Sequence, residues 1–449
     1  MVIFLHSQPT IILWFTKNMT PYPIWHPCAQ MKDYESFQPL WIESAKGSYL
    51  KTKDDRLIID AISSWWCKSF GHSHEHLKAA LLKQLEKFEH VLAANTTNDT
   101  LLALAQKLTQ LTTTLKKVFF AGDGSVAVEI ALKMSLQARK ILGQPERTQF
   151  LRLENGYHGE TIGALSVSDM PLYSQPFKPL LFNAKTISSI PYLHHRDHPL
   201  WNNCEEHWQK IVADLAPYCE TATALIVEPI VQGAAGMKIY SQDLLKRLRN
   251  WTKQHDIHLI ADEIMTGIGR TGKMLACEHA QIEPDILCLS KGLTAGWLPF
   301  SAVLTTNELY QLFYDDYHTG KAFLHSHTYC GNALGASVAL EVLHIFEEEN
   351  ILEQINFLQQ KMHAAMNEVA HNTRQLQNVR SIGAIVAADL INPQGKPRLG
   401  YEVYQKAVEL GALLRPLGNT IYWLLPFNTS VDTLTKLQDI TQQAIVACT

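Results

Sequence analysis

The chain has 449 residues, 46% hydrophobic and 18% charged, with a net charge of -4 at pH 7. Those totals suit a globular protein with one large domain and a smaller companion, and no charge run or basic stripe favours nucleic acid. The eight cysteines are scattered without a CxxC pair, which argues against a zinc module or disulfide scaffold and for a reduced, cytoplasmic protein.

The opening stretch MVIFLHSQPTIILWFTKNM is apolar but broken by His6, Ser7, Gln8 and Pro9, and it lacks a basic leader. It is expected to be neither a signal peptide nor a membrane span. Residues 1–20 are expected to form a disordered extension, with Met19 as an alternative start. His72, His74 and His76 have a spacing that could suggest a metal, but only Glu75 accompanies them, so they read as a solvated helix start and no metal site is expected. KKVFFAG (116–122) reads as a strand and SVAVEIALKMSLQARKIL (125–142) as an amphipathic helix. Residues 148–154, 223–229, 257–263, 285–291 and 300–306 read as further buried strands, with a helix over 241–255. Strand–helix alternation with nearly continuous apolar strands means an α/β domain around a mostly parallel sheet, with functional groups at the carboxyl ends of strands. From about Gly335 the chain turns mostly helical, with short strands such as 419–426. The domains are therefore expected as 76–334 for the large one, and 21–75 with 335–449 for a smaller α+β one.

LIADEIMTGIGRTGKM (259–274) is ambiguous. Gly267, Gly269 and Gly272 fit the dinucleotide fingerprint, and Gly267, Gly272 and Lys273 fit most of a P-loop. A P-loop needs Ser or Thr after the lysine, and Met274 stands there. The next residues form no long helix, and no acid follows at the distance a dinucleotide site requires. The stronger signal is Asp262 and Lys291, both at carboxyl ends of expected strands. An acid and a lysine so placed can hold a pyridine ring between them, the acid on the ring nitrogen and the lysine on an aldehyde, as pyridoxal 5'-phosphate requires. Singly, they would read as a strand-end cap and a solvated side chain.

They do not stand singly. FAGDGSVAVEIALKM, IVEPIVQGAAG, IADEIMTGIGRTGKMLACEH and PDILCLSKGLTAG together resemble the class III, omega-type aminotransferases of fold type I, from about Trp25 to the C-terminus. PIWHPCAQMKDYE, ISSWWCKSFGHSHEHLKAA and GYHGETIGALSVSD narrow the resemblance to the biotin-pathway branch, which acts on 7-keto-8-aminopelargonic acid. The tandem Trp65–Trp66 is the most specific of these features.

The resemblance implies catalysis by Lys291 and Asp262, with Glu228 supporting Asp262 from behind. It implies a structural role for the Gly267–Gly272 segment, so that Arg270 and Lys273 do not carry the phosphate. Gly124 and Ser125, between a strand and a helix, would hold the phosphate on free backbone N–H groups, although alone they read equally as an ordinary serine cap. Tyr157 would stack on the pyridine ring and face substrate, or fill the core. Thr328, with the backbone of His327, would complete the phosphate site of a neighbouring subunit, which makes a homodimer the expected assembly. Ser326 would lie near substrate. Trp65 and Trp66 would wall the substrate chain or pack in the core, and Arg415 would clamp its carboxylate. Cys28 departs from the family, which places an aromatic residue there; Tyr22, Tyr34 or another group would have to substitute. The donor is S-adenosylmethionine or lysine, and an omega-aminotransferase for ornithine, 4-aminobutyrate or diamines is the other reading.

Overall fold

The computed structural model describes residues 22–449, so the N-terminal extension, with Met19, lies outside the described residues. The core is a seven-stranded sheet. In spatial order its strands are Leu115–Ala121, Ser301–Thr306, Ile286–Leu289, His258–Asp262, Ala222–Val227, Gln149–Leu153 and Lys185–Ile187. Six run in one direction; Ser301–Thr306 runs against both neighbours. The central strands are buried along their whole length, which is why they read as apolar runs and not as alternating patterns.

Two layers cover the sheet, and the two-residue strand period sorts the side chains between them. Ile286, Cys288 and Val303 join the cluster of the helix Gly124–Ile141, through Ala127, Ile130 and Ala131. Leu287, Leu289, Ala302 and Leu304 join the cluster of Leu104, Leu108, Ala336 and Ala339, which belong to the helices Asp99–Gln110 and Ala333–Glu348.

The two ends of the described chain meet in one sheet. Ile42–Lys46, Tyr49–Thr52 and Leu57–Asp60 form an antiparallel ribbon, and Ala412–Leu413 adds to it in parallel, Ala412 opposite Ile59. A second antiparallel sheet joins Leu376–Ile382, Ile385–Leu390 and Thr420–Trp423. The helices Ile351–Thr373, Leu399–Leu410 and Val431–Cys448 pack with these strands.

The glycine-rich segment is a packing joint. A Cβ on Gly269 (φ +83°) would stand 2.6 Å from the Phe346 ring. Arg270 is buried, donates to the carbonyls of Ala384 and Leu425, and lies over the Phe427 ring at 4.6 Å.

Candidate active site

A cavity of about 760 Å³ opens where the parallel strands end. Asp262 closes its strand and lies opposite Cys288 of the adjacent parallel strand, three residues before Lys291. The strand expected to reach Lys291 stops at Leu289; the lysine begins a short 3-10 turn at φ 41°, which lifts it out of the sheet. Burial, the main cause, lowers the Lys291 pKa, and Asp262 and Glu228 partly oppose that shift. The lowered pKa favours the neutral amine a base requires.

Asp262 is 4% exposed. One carboxylate oxygen accepts from the Ile264 N–H at 3.1 Å, and the other pairs with His158 Nδ1 at 2.7 Å. Glu228 lines the same cavity and makes no hydrogen bond to Asp262. It accepts from the backbone N–H groups of Tyr157 and Gly233, both at 2.9 Å, and burial pushes its pKa up to about 7. The direct support of Asp262 is therefore His158, whose Nε2 has no hydrogen-bond partner among the described residues. His158 stands beside Tyr157 in GYHGET, and that adjacency was its only signal in the sequence.

The helix Gly124–Ile141 points its N-terminus into the same cavity. Its cap is Asp123, which accepts from the Val126 N–H at 3.0 Å, and not Ser125. The N–H groups of Gly124 and Ser125 lie in the first turn, where the helix offers no acceptor. A Cβ on Gly124 would stand 2.9 Å from Ile264, so only glycine leaves this approach open. Ser125 Oγ lies 3.2 Å from the N–H groups of Glu160 and Thr161. A phosphate-bearing pyridine fits this chemistry: N–H donors at one end, a buried acid for the ring nitrogen and a lysine amine of lowered pKa. Tyr157 lines the cavity, donates to Glu160 at 2.9 Å, and burial holds its pKa far above the usual phenol value.

Trp66 is buried and Trp65 is 41% exposed. The Trp66 ring lies 4.6 Å from Lys291 Nζ and its N–H donates to the Tyr422 hydroxyl, while the Trp65 ring lies 4.3 Å from the Arg415 guanidinium. The pair thus spans from the lysine to a second cavity of about 720 Å³ that holds Arg415, Cys28, Tyr34 and Tyr173. Arg415 donates to the Cys28 carbonyl at 3.0 Å and pairs with no carboxylate among the described residues. The aromatic beside Cys28 is Tyr173, with its hydroxyl 3.9 Å from the sulfur and its ring 5.7 Å from that of Tyr157. Nothing in the sequence singled it out. Tyr22 turns to His26 instead, at 2.7 Å.

Ser63 to Trp66 have φ of 49°, 45°, 72° and 75°. Four successive non-glycine residues in the left-handed region cost about 1–2 kcal/mol each. Ser326, His327 and Thr328 are exposed and line neither cavity; the Thr328 carbonyl meets His90 Nε2 at 2.8 Å. Of the three histidines read as solvated, His76 is exposed, but His72 is drawn inward by Asp60 at 2.8 Å, its side chain 11% exposed.

An acid at the end of one strand and a lysine just past the end of the adjacent parallel strand, facing a helix N-terminus, define a pyridoxal-phosphate-dependent transferase of fold type I. The model for class-III aminotransferases matches residues 30–445, and the chain belongs to that family. It is a transaminase that works with pyridoxal 5'-phosphate. It is 42% identical over 413 residues to the adenosylmethionine-8-amino-7-oxononanoate aminotransferase of Helicobacter pylori, covering 90% of this chain and 91% of that protein. It is 37% identical to the protein of that name from Aquifex aeolicus, over 94% of this chain and 95% of the other. Among solved structures, the Methanocaldococcus jannaschii protein of the same name superposes with a TM-score of 0.88 at 35% identity, covering 95% and 97% of the two chains. A PLP-bound amine transaminase from an uncultivated Pseudomonas species gives 0.86 at 28% identity, covering 96% and 99%. Among the described residues no helix is long and apolar enough to cross a membrane.

Proposed function

We propose that this enzyme transfers an amino group to 8-amino-7-oxononanoate, also called 7-keto-8-aminopelargonic acid, to give 7,8-diaminopelargonic acid for biotin synthesis. S-adenosylmethionine is the proposed donor. The observation that carries the reading is polarity along the site: a reacting lysine at one end, an aromatic pair in the middle, and an arginine with no carboxylate partner among the described residues at the other. A long acceptor, apolar in the middle and anionic at one end, matches that order.

When bound, pyridoxal phosphate supplies an aldehyde that bonds amines and a ring that takes up electrons. The chain does the rest. Gly124 and Ser125 bind the phosphate, and Tyr157 packs on the ring. Asp262, fixed by His158, holds a proton on the ring nitrogen. Lys291 Nζ takes the proton from the donor Cα and returns one when the acceptor is aminated. Arg415 holds the acceptor carboxylate, Trp65 and Trp66 flank its chain, and Cys28 borders the substrate space; Ser326, which lines neither cavity of its own chain, would reach that space only in a second subunit. Thr328 and His327, exposed and outside the lining of this chain's own cavities, complete the phosphate site of a second subunit in a cytoplasmic homodimer.

The test is an assay of the keto acid with S-adenosylmethionine and, separately, with lysine, read as diamine formed. Product with lysine alone would replace the donor. No product with either, alongside turnover of ornithine or 4-aminobutyrate, would overturn the substrate.

A further inference from the structure

The run of left-handed residues at Ser63–Trp66 needs an explanation. L-residues visit this region singly, and a longer run persists only where its surroundings hold it. Three backbone bonds close the turn: Trp66 N–H to the Ile62 carbonyl, and the Cys67 and Lys68 N–H groups to the Ser63 carbonyl, at 2.9–3.0 Å. Its second residue is gripped from outside. Asp60, fully buried, accepts from the Ser64 N–H at 2.9 Å and from the Ser64 hydroxyl at 2.7 Å. His72 Nε2 donates to the same carboxylate at 2.8 Å. Neither partner is free to follow a moving turn. The Asp60 N–H is bonded to the Ser48 carbonyl, and His72 exchanges two backbone bonds with Gly47.

We propose that Asp60 and His72 are positioning residues: the carboxylate, oriented by the imidazole, clamps Ser64 in the left-handed turn that points Trp65 toward Arg415 and Trp66 over Lys291. A buried Asp–His pair could serve only to satisfy its own polar groups. Here both hydrogen-bond donors of Ser64 end on the carboxylate, and the next two residues are the aromatic pair proposed to flank the substrate. Slack at Ser64 would swing both rings, because successive side chains share one backbone. The clamp therefore sets how tightly the wall closes on the acceptor chain, and leaves proton transfer at Lys291 to other groups.

This inference rests on the keto-acid reading for its kinetic part only. The test uses the pyridoxal-phosphate-loaded enzyme and compares the native protein, Asp60→Asn, and Asp60→Asn with Ser64→Gly. Asp60→Asn should raise KM for 8-amino-7-oxononanoate roughly tenfold, with the donor half-reaction changed less than about twofold. Hydrogen exchange of the 64–68 amides should speed up in the same variant. Adding Ser64→Gly should restore part of both, because glycine enters the left-handed region without the strain that the clamp offsets. Should Asp60→Asn not accumulate folded, His72→Phe removes one bond of the clamp and should shift both readouts the same way, by less. Unchanged KM and exchange in the folded variants, or no recovery with Ser64→Gly, would overturn the clamp. Failure of the native enzyme to use the keto acid would instead sink the functional reading, and the exchange measurement would still judge the clamp.

Discussion

Replacing Arg415 by alanine removes the cation proposed to meet the acceptor carboxylate. In the free protein its guanidinium rests 4.3 Å over Trp65, with one bond to the Cys28 carbonyl. Its charge is otherwise unspent, since no carboxylate among the described residues pairs with it. A charge-assisted pair contributes ~1.5–3 kcal/mol, or roughly 10- to 150-fold in kcat/KM. The side chain is only half-buried, so solvent screening puts the expected loss in the lower part, about 10- to 30-fold. Arg415→Lys should recover part of this, because a point charge lacks the planar fork. The assay compares the keto acid with its methyl ester. The native enzyme should handle the ester poorly, and Arg415→Ala should handle it little worse than the native enzyme does. The half-reaction with the donor alone should change less than the half-reaction with the keto acid. Equal losses for acid and ester would refute the clamp and leave Arg415 a packing role on Trp65.

Lys291→Ala should abolish turnover while the protein folds and still binds pyridoxal phosphate noncovalently; near-native turnover would remove Lys291 from its role. Asp262→Asn should slow Cα proton abstraction by at least ~10²-fold, because an amide no longer stabilises a proton on the ring nitrogen, and a rate within a few-fold of native, measured in single turnover, would place the acid elsewhere. Mixed dimers of Thr328→Ala and Lys291→Ala chains should be more active than either parent, since one of the two sites then has both native residues. Hybrids proven to form but no more active than the parents would assign Thr328 to its own subunit.

The α/β core was legible because burial on both faces leaves an unmistakable apolar signature: the strands around 118, 151, 225, 260, 287 and 303 lie where the sequence puts them. The Asp262–Lys291 pair was legible for the same reason, since strand ends could be located to within two residues. What stayed hidden depends on contacts across the chain. His158 supports Asp262 from 104 positions away, and Tyr173 reaches Cys28 across 145. Neither lies in a local pattern that marks its partner. His72 was misread for the opposite reason: its neighbours His74 and Glu75 do begin a helix, but one residue's partner, Asp60, lies back across the turn.

The glycine-rich segment shows how a local pattern can be specific and still name the wrong chemistry. Its glycines are demanded by close approach, Gly269 by Phe346, and its arginine by two carbonyls, those of Ala384 and Leu425. The stretch 424–427 that receives Arg270 also receives the tryptophan turn: Ser63 Oγ donates to the Leu424 carbonyl at 2.7 Å, and the Phe427 N–H donates to the Ser69 carbonyl at 2.7 Å. Tyr422, on the strand leading into it, holds the Trp66 ring nitrogen. The strand end bearing Asp262 and the turn bearing Trp65 and Trp66 are therefore tied to one another through a single C-terminal segment. A phosphate loop would leave its backbone N–H groups open to a ligand. This one uses its glycines and its arginine inward, and so ties the segment that follows the proposed cofactor acid to the segment that holds the proposed substrate wall.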